Sequence, residues 1–132
     1  MEFLEHPHLI KILIAAFLAI LFLQSGIDKV VDWKGNLGWL KGHFSQTFLK
    51  NQVPFLLATV TLTEIASGAL SLLGIFQIIT NLKSSWAYWG AVLSMLSLMM
   101  LFLGQRIAKD YAGAGNLVPY FLLALVASLL LK

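Results

Sequence analysis

One carboxylate stands where an apolar run should exclude it. Glu64 lies eleven residues into the stretch Val53–Ile79, behind Thr59, Thr61 and Thr63 and ahead of Ser67 and Ser71. In a helix rising ~1.5 Å per residue it sits roughly 16 Å from the start of the run. A carboxylate that deep in hydrocarbon costs at least ~2.5 kcal/mol on insertion scales, so it must be protonated, paired or hydrogen-bonded. Ionisable groups at such depth mark ligand, proton or redox sites. The competing reading is a neutral acid that bridges helices, with Ser67-x-x-x-Ser71 and Gly90-x-x-x-Ser94 as small-residue seams beside it.

Two further polar groups interrupt apolar sequence. Leu23–Lys29 carries Gln24, Ser25, Asp28 and Lys29, and Phe102–Gly115 (FLGQRIAKDYAGAG) packs Gln105, Arg106, Lys109 and Asp110 into six residues, with Asn116 just beyond. The elements that must position them follow from composition. Hydrophobic residues make up 59% of the 132-residue chain and charged residues 11%, against about 25% charged in an ordinary soluble domain. Four runs hold the excess: Leu9–Ile27, Val53–Ile79, Trp86–Leu103 and Leu117–Leu131. A bilayer core about 30 Å thick takes roughly 20 helical residues. None of the runs alternates in the manner of a membrane barrel strand. The expected fold is therefore all-α, a single integral membrane four-helix bundle spanning residues 1–132. Its helices are expected at about 9–27, 53–79, 86–106 and 116–131. The last run is short and is expected to borrow Gly115 and Asn116. Pro54 fits the first turn of the second helix, where its missing N–H goes unneeded. The flank of the first run carries Glu2 and Glu5 rather than basic residues, so a retained helix is expected rather than a cleaved signal.

The first loop contains a helix of another kind. Leu37, Leu40, Phe44 and Phe48 recur at three- and four-residue steps, with Trp33 and Trp39 nearby and Lys34, Lys41 and Ser45 on a different face. This predicts an interfacial amphipathic helix over about 36–50, an anchor or lid at the headgroup level. The first and third loops hold six of the basic residues, the termini and second loop three. That asymmetry predicts cytoplasmic first and third loops with both termini outside. The formal charge of +3 calls for no nucleic-acid partner, since basic residues beside a membrane account for it.

In four alternating helices the ends of the first and third share a face with the starts of the second and fourth. Gln24, Ser25, Lys29, Gln105, Arg106, Lys109, Asp110 and Asn116 are thus expected to rim a polar cup above Glu64, with Arg106 reaching inward as the partner of Glu64. Such a cup walled by apolar helices suits a polar-headed small molecule, a quinone or a lipid. Other chemistry finds less support. His6, His8 and His43 lie outside the spanning interiors, against haem ligation between helices. A His6–His8 metal site is possible by spacing, though solvated histidines are the ordinary case. Gly113-Ala114-Gly115 does not complete a nucleotide-binding glycine pattern and is expected to be a helix C-cap turn. Tyr111 and Tyr120 suit an interfacial belt. The chain shows neither a Ser–His–Asp set nor paired carboxylates and is not expected to be a self-sufficient enzyme.

Three elements together resemble the DoxX family: QSGIDKVVD at the end of the first helix, intramembrane Glu64 followed by Gly68 and Gly74, and GQRIAKDYAGAG before the last helix. The resemblance runs over most of the chain in length, span number and order of polar patches. It implies a small protein of the bacterial inner membrane, the membrane subunit or anchor of a quinone-linked redox complex, with no intrinsic cofactor beyond a possible quinone. Redox-associated relatives carry cysteines and this chain has none, so thiol chemistry does not transfer. The alternative is a non-enzymatic membrane protein: a scaffold or homo-oligomer, a lipid-binding protein, or a small-solute or proton-coupled carrier.

Overall fold

The computed structural model describes residues 5–132. Glu2 lies outside them, as does the side chain of His6 and with it the His6–His8 expectation. The elements are α1 (His6–Val31), α2 (Trp33–His43), α3 (Val53–Asn81), α4 (Ser85–Ile107), α5 (Tyr111–Gly115) and α6 (Val118–Leu131). Among the described residues four stretches are long and apolar enough to cross a bilayer: Pro7–Val31, Val53–Asn81, Ser85–Ile107 and Tyr111–Leu131. The protein is an all-α, multi-pass membrane bundle, as the hydropathy runs predict. Helices are imposed by the solvent, because hydrocarbon offers no partner for a free N–H or C=O. Pro7, Pro54 and Pro119 all fall in first turns, where no intrahelical donor is lost.

α3 is the central helix, packing most extensively on α1 and α4, with α6 against α4. In lipid no hydrophobic force drives helices together, so close approach of small residues does the work. On the α3–α4 seam Gly74 lies against Ala87, Gly90 lies against Ser71, and the Ser67 and Ser94 hydroxyls are 2.5 Å apart. Ser67 Oγ also donates to the Gly90 carbonyl at 3.0 Å. On the α1–α3 seam Gly68 receives Leu23 and Gly26 receives Ile65. These pairs fix two antiparallel registers, which decide what stands beside Glu64.

Two elements differ from expectation. α2 begins at Trp33, with only Asp32 between it and α1, and ends at His43; turns carry the chain from Phe44 to Gln52. The Gly113-Ala114-Gly115 stretch is the body of α5, not a C-cap turn. Capping of α4 falls to Lys109, which adopts φ 60°. Its N–H bonds the Arg106 carbonyl at 3.1 Å, and the Asp110 N–H bonds the Gln105 carbonyl at 2.9 Å. This is the Schellman arrangement with lysine at the position glycine normally takes. Left-handed backbone costs an L-residue about 1–2 kcal/mol. Lys109→Gly should therefore raise stability by roughly 0.5–1 kcal/mol, after the greater freedom of glycine in the unfolded chain is subtracted. Thermal unfolding in detergent checks this, and a lower midpoint would count against the cap assignment.

Candidate functional site

Glu64 is buried, 1% exposed, and its partner is Lys29: Nζ lies 2.9 Å from Oε1. The approach is off the hydrogen-bonding direction, so this is a close ion pair rather than an aligned hydrogen bond. Lys29 also donates to Ser25 Oγ at 2.8 Å, which folds the side chain back along its own helix. The expectation that Arg106 pairs with Glu64 is thus corrected, and register supplies the reason. Continuing the α1–α3 contacts places Lys29 about two residues above Glu64, roughly 3 Å along the axis. Continuing the α3–α4 contacts places Arg106 near the level of Phe55, about nine residues or roughly 13 Å away. Helical side chains lean toward the N-terminus of their helix, so Lys29 leans inward from its place near the end of α1. Arg106 is exposed and lies over the Tyr111 ring, 4.6 Å from its centroid.

The other expected site residues divide between a second cluster and the surface. Gln105 accepts from His43 Nε2 at 2.6 Å, and Asp110 Oδ2 stands 3.9 Å from the same nitrogen. Asp110 Oδ1 meanwhile accepts the Gly113 N–H at 2.9 Å, capping α5. His43 stacks on Trp39, centroids 4.5 Å apart, so the cluster ties the end of α2 to α4 and α5. Gln24, Lys109 and Asn116 are exposed. The expected single cup is therefore two groups, an inner Ser25–Lys29–Glu64 set and an outer His43–Gln105–Asp110 set.

Between them is a cavity of about 510 Å³. α2 and the turns after it roof it with Trp39, Leu40, Phe44 and Phe48; α3 and α4 wall it with Val60, Met100 and their neighbours. Lys29 stands at the inner end and Gln105 and Asn36 near the roof. Phe44 packs beneath Gly104, where a Cβ would meet its ring at 3.3 Å, so glycine lets the roof close down on α4. Three residues bordering the cavity, Phe48, Phe55 and Leu103, are 79%, 71% and 57% exposed. Phe55 and Leu103 lie on the flanks of the apolar spans α3 and α4, so the cavity opens on the side of the bundle.

Sequence reasoning missed His43 as a site residue and the apolar roof as a wall of the site. The signal was present: Trp39 and His43 are one helical turn apart.

The fold and site define a class, a four-helix membrane protein with a roofed, laterally open apolar cavity and a buried ion pair at its inner end. Compared with known proteins, the chain matches no family model, no curated protein and no solved structure.

Proposed function

We propose that this protein binds a polar-headed, lipid-soluble molecule, a quinone or a lipid, in the cavity beneath α2. The observation that carries the reading is the cavity itself: about 510 Å³, almost wholly apolar, open at the side of the bundle and ended by Lys29. Its volume falls in the range of small-molecule sites, roughly 300–1,000 Å³, and one convergent polar group at the end of an apolar slot is the usual means of orienting a guest. The DoxX resemblance adds the setting, a bacterial inner membrane and service as the small membrane subunit or anchor of a redox complex, and the excess of basic residues in the first and third loops would put those loops in the cytoplasm. Any electrons would then reach the guest from a partner subunit.

The test is purification in mild detergent followed by mass spectrometry of the co-purifying proteins and lipid-soluble molecules. One species should be enriched over bulk lipid in wild type. It should persist in Arg106→Ala, whose side chain lies away from the cavity, and fall at least several-fold in Val60→Trp, which fills it. Equal retention in Val60→Trp would remove the cavity from the account. A redox partner retained with the protein would support the complex; a stable isolated chain carrying its guest would favour a stand-alone lipid-binding protein.

A further inference from the structure

We infer, resting on that reading of the cavity as a guest site, that it selects an uncharged head bearing hydrogen-bond-accepting oxygens (carbonyl, ether or hydroxyl) and discriminates against carboxylate- and phosphate-headed amphiphiles. The argument is the charge inventory at the inner end. Of the described residues lining the cavity only Lys29 is charged, and its ammonium is already engaged by Glu64 at 2.9 Å and Ser25 Oγ at 2.8 Å. The pair is neutral as a unit. An anionic head drawn to Lys29 would come within a few ångströms of the buried Glu64 carboxylate, and in low dielectric that repulsion offsets the attraction. It would also lose its hydration with no second cation in the lining to compensate. A cationic head meets the ammonium first.

A neutral oxygen needs only one donor, and one is present. Of the Lys29 protons one is held by Ser25 Oγ, none is aligned on Glu64 Oε1, and the only other acceptor in reach among the described residues is the Ser25 carbonyl at 3.5 Å, a contact at the limit of hydrogen bonding. The neutral head therefore gains a charge-assisted hydrogen bond without disturbing the Glu64 pair. Lys34, Lys41, Lys50, Arg106 and Lys109 make the same face of the protein basic, but all five are exposed and none lines the cavity. They attract anionic lipid to the surface; they do not admit its head to the slot. Glu64 is thus a specificity-determining residue that acts by neutralising Lys29.

Trp39 in the roof gives the readout. The full chain carrying Trp33→Phe, Trp86→Phe and Trp89→Phe keeps Trp39 as its single tryptophan. In phosphatidylcholine nanodiscs it would be titrated with 9,10-dibromostearic acid and with the monoacylglycerol of the same acid, at a pH where the acid is ionised in the bilayer. The two probes share a quenching tail and differ in head charge. The neutral probe should quench Trp39 at a mole fraction at least about tenfold lower than the acid. Glu64→Gln, which keeps shape and releases the Lys29 charge, should shift the preference at least about tenfold toward the acid. Lys29→Met with Glu64→Gln should lose that gain. Equal quenching of the parent protein by both probes, or an unchanged preference in a folded Glu64→Gln protein, overturns the inference while leaving a guest site in place. Absence of quenching by either probe in every protein sinks the guest site and the inference together.

Discussion

Lys29→Met should be among the most damaging single substitutions in this chain, lowering stability by about 3 kcal/mol or more. Removing one partner of a buried ion pair strands the other, at a usual cost of about 3–5 kcal/mol. Here the stranded group is Glu64, 1% exposed, with Oε1 lacking any aligned donor. Lys29 keeps 18% exposure, and an unfolded chain still in the bilayer finds other partners, so the lower end of the range applies. The damage should be asymmetric. Glu64→Gln leaves an ammonium with its Ser25 bond and an opening to the cavity, and should be tolerated far better. Lys29→Met combined with Glu64→Gln should recover most of the loss, because no buried charge remains. Unfolding of the four proteins in one detergent measures the coupling as a double-mutant cycle. Additive effects would mean that the 2.9 Å contact carries no energetic weight.

Gly74→Ala should destabilise by about 2–3 kcal/mol although it adds a single methyl group. A Cβ at Gly74 would lie 2.5 Å from both the backbone nitrogen and the Cβ of Ala87, and 2.7 Å from its Cα. Backbone cannot move aside as a side-chain end can, so α3 and α4 must separate. Overpacking typically costs about 1–3 kcal/mol, and a membrane seam that depends on contact alone falls toward the upper part. Gly38→Ala is the contrasting substitution. Nothing lies within 4 Å of a Cβ there, and alanine in a helix interior gains roughly 0.5–1 kcal/mol over glycine. A Gly74→Ala protein as stable as wild type in a denaturation series would show that the seam is looser than its geometry.

The contrast between Lys29 and Arg106 shows what the sequence contains and what it does not. The four spans were legible, because hydrocarbon demands long apolar helices and the runs announce them. Glu64 was legible for the same reason, as the exception inside a run. Its partner was not. Lys29 and Arg106 both sit near helix ends on one face, and which of them reaches Glu64 depends on register. Register is set by Gly26 against Ile65 and Gly74 against Ala87, contacts between helices that no periodicity within one helix encodes. The cap of α4 was misplaced because glycines at 113 and 115 drew attention from Lys109, a residue type that rarely adopts φ 60°. The cavity roof was half legible: the apolar spacing of α2 was plain, but its direct junction to α1 at Asp32 and its tie through His43 to Gln105 are tertiary facts.

The sideways opening beside Phe48, Phe55 and Leu103 sets the unit in which affinity must be expressed. On the reading proposed above a guest would enter there from the bilayer, and its relevant concentration would be its mole fraction among the surrounding lipids. A molecule far too insoluble to titrate in buffer would then still be titratable within the bilayer. The same guest would be stripped away by nothing more than excess detergent.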